Sequence, residues 1–224
     1  MPHFFLVIAG AAIKLMLDYG RLQKRMGEIA KEKAEAELNF LKSQINPHFV
    51  FNTLNAIYFL IQKENADARN ALHRFSDMLR YQLYEMGGQK VPVEKEIAYL
   101  RDYMDLQQLR KDDRYTVRFH CTEQVKGFSI EPLLLVPLVE NAFKHISHHK
   151  HQPNEVEVSM DRQNGQFIFD IRNSRELLPT TEKPGGIGLQ NVRRRLELLY
   201  PGKHQLTIRE TDQEFLVNLN ITLS

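Results

Sequence analysis

The stretch EVEVSMDRQNGQFIFDI, residues 155–171, decides the fold class of this 224-residue chain. Polar and apolar side chains alternate from Glu155 to Met160 and again from Gln166 to Ile171, with the two-residue period of a strand that buries one face. The dipeptide Asn164-Gly165 separates the two runs and is typical of the tight turn of a β-hairpin. The stretch therefore predicts two antiparallel strands with one face on a core.

The segments around this hairpin extend it into a mixed α+β domain. Strand patterns cover residues 116–120, 205–209 and 215–223, and helical patterns cover residues 132–146 and 188–200. Elements in this order are expected to form two layers, with the helices on one face of a mixed sheet. We therefore predict an α/β sandwich over residues 111–224.

The first half of the chain carries helical patterns instead. Apolar residues recur every seven positions from Leu15 to Ala36, which predicts a coiled-coil helix over residues 18–37. We expect this long helix to continue to about residue 62, with a second helix ending near Met86 and a third over roughly Val93 to Arg110. Two antiparallel helices form a hairpin, and a second copy would complete a four-helix bundle. Residues 38–110 are therefore predicted to be helices that pair in a dimer.

An apolar run opens the chain. Residues 3–13 are almost entirely apolar, but spanning a bilayer takes about 20 such residues, so this run is too short alone. Basic residues follow it at Lys14, Arg21 and Lys24, and this order favours a cytoplasmic location for what comes next. We predict that residues 1–17 are the end of a transmembrane helix. The alternative is an ordinary buried helix.

Charge and cysteine content narrow the classes of partner. The net charge of +2 is too small to indicate nucleic-acid binding, and we expect no direct nucleic-acid partner. Cys121 is the single cysteine, so an internal disulfide framework is excluded and a reducing compartment is favoured.

The first motif that carries chemistry is QINPHFVFNTLN, residues 44–55. Gln44 and Asn52 lie four residues on either side of His48, and positions four apart share a helix face. Pro47 cannot donate a helical hydrogen bond, and a proline inside a helix costs about 3 kcal/mol relative to alanine. We therefore expect a bend at Pro47 that presents His48.

A second motif is EPLLLVPLVENAFKH, an apolar helix that offers Glu140, Asn141, Lys144 and His145 at its end. The last three are three or four residues apart, so they share a face. An amide oxygen can ligate Mg²⁺, and a lysine or histidine can approach phosphate oxygens.

The third motif, GGIGLQNVRRRL at residues 185–196, places glycines just before a helix. Backbone N–H groups at such a point can close on a phosphate, and the helix dipole favours the anion. The arginines at positions 193–195 are expected to form a solvated helix face more readily than a phosphate contact.

In this order the three motifs resemble the signatures of the LytS/YehU-type sensor histidine kinases, over about residue 30 to the end of the chain. The resemblance implies a GHKL-type ATP-binding sandwich, the fold shared with gyrase and MutL. It also implies that residues 18–37 are a signalling helix and that residues 38–110 are dimerisation and histidine phosphotransfer helices. It implies that His48 takes the γ-phosphoryl group from ATP and passes it to an aspartate on a response regulator. The homodimer would be attached to the inner (cytoplasmic) membrane through its N-terminal helix, with the kinase core in the cytoplasm.

The resemblance also implies a set of site residues. Asn141 would hold Mg²⁺. This chain has Phe49 where many other histidine kinases carry an acidic residue directly after the phosphorylated histidine, so Glu140, Gln44 and Asn52 are the candidates to assist His48 in catalysis. The implied ATP-binding residues are Asn141, Lys144, His145, Asn173, Gly186, Gly188 and Leu189, next to a lid over about residues 174–185.

One position departs from the wider superfamily, whose members carry Asp-x-Gly-x-Gly after a strand, with the aspartate reading the adenine amino group. Here the strand runs into Asn173-Ser174-Arg175 without a glycine. Asn173 is expected to take the place of the aspartate, and Asp170 is the other candidate. The departure leaves two alternatives open: a non-catalytic signalling or scaffold module with a degenerate nucleotide site, and an ATPase without phosphohistidine.

Overall fold

The computed structural model describes residues 13–29, 47–84, 89–149, 153–175 and 187–223. The chain divides into two compact units, Met1–Thr53 and Leu54–Ser224.

The elements of the chain are helical at first and then mixed. In chain order they are α1 (13–29), α2 (Pro47–Leu60), α3 (Ala66–Tyr84), β1 (Val91–Pro92), α4 (Val93–Leu109), β2 (Tyr115–Cys121), β3 (Ser129–Ile130), α5 (Val136–Lys144), β4 (Asn154–Gln163), β5 (Gln166–Ser174), α6 (Ile187–Leu199), β6 (His204–Glu210) and β7 (Glu214–Thr222). Helix α2 crosses the boundary between the two units.

The second unit is built on a five-stranded mixed sheet of order β2-β4-β5-β7-β6. Strand β2 runs parallel to β4, and the other neighbours are antiparallel. The predicted hairpin is confirmed as β4 and β5, and its turn residues Asn164 and Gly165 have φ of 50° and 75°. Both values lie in the left-handed region, which Asn and Gly adopt more readily than other residues.

A single hydrophobic core lies between the sheet and the helices. Alternate residues of β5, from Phe167 through Phe169 to Ile171, are buried in it, and α4, α5 and α6 contribute Leu100, Leu138 and Leu196. Burying one such side chain contributes about 1.5–3 kcal/mol. The predicted α+β class, with helices against a mixed sheet, is confirmed.

The helix boundaries follow local signals. The predicted break after α2 is present, because Asn65 Oδ1 accepts a hydrogen bond from Ala68 N at 3.2 Å and caps the start of α3. Helix α4 spans Val93–Leu109, one residue short of the predicted end. It packs Leu100 and Met104 into the core of the sheet, although the predicted domain layout groups it with the dimerisation helices.

Two predictions concern the N-terminal part. No helix in the described part of the chain is long and apolar enough to cross a membrane. Residues 1–12, which hold most of the predicted membrane segment, lie outside the described residues, as do residues 30–46 upstream of Pro47. The transmembrane segment and the bend at Pro47 therefore stay predictions.

Candidate functional site

Helix α5 presents polar side chains because its apolar residues face the sheet. Its first turn contains Pro137, which needs no intrahelical donor there. The buried positions are Val136, Leu138, Val139, Ala142 and Phe143, and they leave Glu140, Asn141 and Lys144 on the side away from the core. Glu140 and Lys144 are exposed and Asn141 is half-buried. The predicted shared face of Asn141 and Lys144 is therefore available to a ligand.

Glu140 and His145 lie at the two edges of this face. Partial desolvation raises the pKa of the Glu140 carboxyl, which makes its carboxylate a stronger base. His145 follows α5 directly, is exposed, and donates its backbone N–H to the carbonyl of Asn141 at 3.1 Å.

Asn173 occupies the buried row of β5, two residues after Ile171. Its Nδ2 donates to the carbonyl oxygens of Ser174 at 3.0 Å and of His145 at 3.4 Å. Its Oδ1 is buried and has no hydrogen-bond partner among the residues that the structure describes. An unpaired buried polar atom costs about 1–3 kcal/mol, so this oxygen suits a ligand that brings its own donor.

Asp170, the other adenine candidate, lies on the opposite face of the same strand. Its Oδ1 accepts a hydrogen bond from Asn218 Nδ2 at 2.6 Å. It lines a groove of about 570 Å³ together with Glu157 and Arg172. Residues 170 and 173 differ in parity along β5, so only Asn173 faces the helices that carry the other candidates.

A buried polar network supports this corner, and sequence reasoning missed it. Ser147 Oγ lies 2.7 Å from Asn154 Oδ1 and 2.7 Å from Ser174 Oγ, and Ser147 N donates to the Ser174 carbonyl at 2.9 Å. Asn154 Oδ1 also accepts from His149 N at 2.8 Å. These bonds tie the chain after α5 to the ends of β4 and β5. One signal could have revealed the network: Asn154 lies in the buried phase of its strand, two residues before Val156.

The residues of the third motif lie on two different faces of α6. Gly188 lies exposed in the first turn of α6, whereas Leu189 is buried in the core with 5% exposure. Gly186 and most of the predicted lid lie outside the described residues. Of the arginines, Arg193 is exposed and Arg194 pairs with Glu197 at 3.1 Å, as expected for a solvated face. Arg195 instead points inward and donates to two backbone carbonyls.

His48 is the second residue of α2. Asn52 lies one turn further along the same helix and is exposed. Gln44 and the His48 side chain are outside what the structure describes. His48 belongs to the first compact unit and the sheet to the second.

Comparison with known proteins agrees with the motifs. The family model described as histidine kinase matches residues 36–115. The chain is 35% identical to the Sensor protein LytS of Streptococcus mutans, over 89% of this chain and 35% of that protein. It is 34% identical to the Sensor histidine kinase YpdA of Escherichia coli, over 80% of this chain and 34% of that protein. The chain spans about a third of the length of the curated relatives it matches.

Among solved structures, the histidine kinase domain of the Erythrobacter litoralis EL346 blue-light activated histidine kinase is similar at a TM-score of 0.49 and 18% identity. That match covers 68% of this chain and 75% of the other. The relatives and the family model confirm the resemblance that the three motifs carry. The chain belongs to the histidine kinases, in the group of the LytS-type sensor proteins.

Proposed function

We propose that this chain is the kinase core of a two-component sensor, which phosphorylates itself on His48 with ATP and then phosphorylates a response regulator. The relatives named as sensor proteins and the family match over residues 36–115, which includes His48, support the assignment. The observation that carries nucleotide binding is the buried, unpaired Oδ1 of Asn173 beside the end of α5.

Adenine recognition follows from the two ends of the Asn173 amide. Because Nδ2 already donates to the carbonyls of His145 and Ser174, the amide is held with Oδ1 as its free acceptor. The N6 amino group of adenine is a donor and matches this oxygen. Guanine presents a carbonyl at that position and would face Oδ1 with a second acceptor, so the site favours ATP over GTP.

The polar face of α5 and the start of α6 suit the phosphates. Asn141 offers an amide oxygen to Mg²⁺, and Lys144 offers a positive charge; His145, Gly186 and Gly188 complete the proposed set. Bound Mg²⁺ would neutralise the charge that the phosphate oxygens carry. Leu189 is buried in the core, and its proposed role is to hold the first turn of α6 in position for the phosphates. The overall arrangement is proposed to be a GHKL-type sandwich.

Phosphoryl transfer to His48 needs a neutral imidazole, which is available near pH 7. An imidazole nitrogen forms the bond to the γ-phosphorus while the bond from that phosphorus to the bridging oxygen of ADP breaks. ADP leaves with the electron pair, and the proton on the other imidazole nitrogen is then lost to a base. Glu140, whose pKa is raised, is our candidate for that base.

Exposed apolar side chains on the described helices support a homodimer. Ile57, Phe59 and Leu60 on α2 are 41%, 81% and 82% exposed, and the heptad residues Leu15, Leu22 and Ile29 on α1 are also exposed. Apolar rows of this kind are covered when two copies form a coiled coil and a four-helix bundle. We propose that residues 18–37 and 38–110 serve these roles, that residues 111–224 bind ATP, and that residues 1–17 attach the dimer to the inner membrane with its core in the cytoplasm.

Labelling with γ-labelled ATP and Mg²⁺ tests the proposal. We expect acid-labile label on the full chain and none on His48→Gln. The matched control is His73→Gln, because His73 is an exposed histidine on α3 whose ring lies 3.0 Å from the carboxylate of Asp77. Label that persists in His48→Gln, or label lost equally in both variants, would exclude His48 as the acceptor.

A further inference from the structure

Leu133 has a backbone conformation that leucine rarely adopts. Its φ is 53°, in the left-handed region, and it lies three residues before the start of α5. A side chain with a Cβ is strained there, and such residues persist only where the surroundings hold them. The turn at Leu133 determines where α5 begins, and therefore where its polar face lies.

Two charged side chains hold this turn from opposite ends. Glu96 Oε1 accepts a hydrogen bond from Leu133 N at 2.7 Å. Arg195 donates from Nη1 to the Leu133 carbonyl at 2.8 Å and from Nη2 to the Pro132 carbonyl at 2.9 Å. Glu96 lies on α4 and Arg195 on α6, so the turn is clamped between two helices.

Glu96 has a further contact, to the helix before it. Tyr81 on α3 donates its hydroxyl to Glu96 Oε1 at 2.5 Å. Glu96 is fully buried, and its Oε2 has no hydrogen-bond partner among the residues that the structure describes. Desolvation raises its pKa in spite of these bonds and of the nearby charge of Arg195. Burying a carboxyl costs free energy. Here the Glu96 side chain connects α4 to α3 and to the turn before α5, and Arg195 connects the same turn to α6.

We propose that Glu96 is a positioning residue, which with Arg195 holds the Leu133 turn and through Tyr81 makes the position of α5 depend on α3. The inference rests on the proposed function in one respect, that α5 carries part of the ATP site. Helix α3 belongs to the predicted dimerisation helices, so the clamp gives a direct physical connection from that region to Asn141 and Lys144. It acts through the backbone and contacts no reacting atom.

Matched controls exist for both arms of the clamp. Glu94 lies two residues from Glu96 on the same helix and also accepts a backbone N–H, from Gly127 at 2.9 Å, but that loop does not lead into α5. Tyr99 forms another hydrogen bond between α3 and α4, as its hydroxyl accepts from Gln82 Nε2 at 2.6 Å. Outside the clamp, Glu94→Gln makes the same change from a charged acceptor to a neutral one as Glu96→Gln does, and Tyr99→Phe removes a hydroxyl as Tyr81→Phe does.

The test uses the full chain and two readouts. Amide hydrogen exchange over residues 133–144 is measured without nucleotide, and the affinity for a non-hydrolysable ATP analogue is measured by calorimetry. We expect Glu96→Gln and Tyr81→Phe to speed amide exchange in that segment and to lower the affinity for the analogue by about fivefold. Glu94→Gln and Tyr99→Phe should match the wild type in both. Leu133→Gly relieves the strained φ, and in the Glu96→Gln background it should restore exchange and affinity towards wild type.

Several outcomes would overturn the proposal. If Glu96→Gln behaves like Glu94→Gln in both readouts, Glu96 does not position α5. If Tyr81→Phe behaves like Tyr99→Phe, α3 is not connected to α5 through this carboxyl. If the Glu96→Gln chain fails to fold, the comparison of Tyr81→Phe with Tyr99→Phe decides the question. Failure of the wild type to bind the analogue would count against the proposed function, while the exchange measurement would still test the clamp.

Discussion

The polar residues on the two faces of strand β5 differ in their burial and in their hydrogen-bond partners. On the open face, Asp170 accepts from Asn218, and Arg172 lies within 3.6 Å of carboxylates of Glu155, Glu157 and Glu214. On the helix-covered face, Asn173 is fully buried and its Oδ1 lacks a partner among the described residues. Half-exposed groups that already have partners gain little from a ligand, whereas a buried acceptor without one gains a hydrogen bond.

This contrast distinguishes two candidate regions for nucleotide binding. The groove on the open face is the more obvious concavity, but its two carboxylates, of Glu157 and Asp170, offset its two guanidiniums, of Arg172 and Arg209, so its lining offers phosphates no net positive charge. The covered face offers an unpaired acceptor and the polar side of α5. We therefore take the buried, unpaired oxygen of Asn173, and not the size of the groove, as the guide to the proposed nucleotide site.

Substitution of Asn173 by aspartate is the change with the largest expected effect. Aspartate is the residue that the wider superfamily uses, but here its second oxygen would replace Nδ2 and face the carbonyls of His145 and Ser174. We expect Asn173→Asp to lower the free energy of unfolding by about 3 kcal/mol and to lower the affinity for ATP by about tenfold or more. Urea unfolding and calorimetric titration measure the two effects.

The control for this change lies on the other face of the strand. Asp170→Asn keeps an oxygen that can accept from Asn218, so its ATP affinity should equal that of the wild type. If Asn173→Asp binds ATP as tightly as the wild type does, the covered face does not read adenine through this amide.

Glu96 is the second buried group on the covered side with an unpaired oxygen, and it predicts a pH dependence. Burial raises its pKa above the ordinary 4.5, so the folded chain keeps this proton to a higher pH than the unfolded chain does. The free energy of unfolding that Glu96 contributes should therefore be greatest below pH 4.5 and should fall as the pH rises through the raised pKa. We expect this fall to be missing in Glu96→Gln when urea unfolding is measured at a series of pH values.

Glu94 provides the opposite sign for comparison. The N–H of Gly127 lowers the pKa of Glu94, so its contribution is present above the ordinary pKa and is lost as the pH falls. Glu94→Gln should keep the loss of stability at rising pH that Glu96→Gln removes. The same pH profile in both variants would contradict a special environment for Glu96.

Removal of the Ser147 hydroxyl tests the network beneath Asn173 and should have a smaller effect. Ser147→Ala loses the contacts to Asn154 and Ser174, which should lower the free energy of unfolding by about 1 kcal/mol and the Tm by about 3 °C. Ser159→Ala, on the open face, is the control and should leave the Tm within about 1 °C. Equal shifts in the two variants would show that the network adds nothing beyond a surface serine.

Local patterns were enough to predict the hairpin and the polar side of α5. Alternation along residues 155–171 and helical spacing over residues 131–145 depend on neighbours in the chain, and the structure confirms the elements that they predict. The same helical rule explains Leu189, which the resemblance places at the nucleotide. Leu189, Val192 and Leu196 recur at spacings of three and four and are buried together.

The polar clusters could not be predicted in that way, because their members come from distant parts of the chain. Glu96 accepts hydrogen bonds from Tyr81 and Leu133, and Arg195 donates to the same Leu133 turn; these three residues lie 15 to 99 positions from Glu96 in the sequence. Nothing near Glu96 in the sequence distinguishes it from the exposed Glu94. Only the fold decides which of two similar glutamates on one helix is buried against a strained turn.

Substitution of Arg172 by alanine, on the open face of β5, should have the smallest effect on stability. Its guanidinium bridges Glu155 and Glu214 at 3.3 and 3.1 Å, across strands β4 and β7, but the side chain is 42% exposed. Ion pairs at this exposure are screened by solvent and contribute about 0–1 kcal/mol. Arg172→Ala should therefore lower the free energy of unfolding by less than about 1 kcal/mol, and less still at high salt, with ATP affinity unchanged. A loss of ATP affinity in Arg172→Ala would place nucleotide on the open face, because the ion pairs that Arg172 forms in the described part of the chain are with residues of β4 and β7.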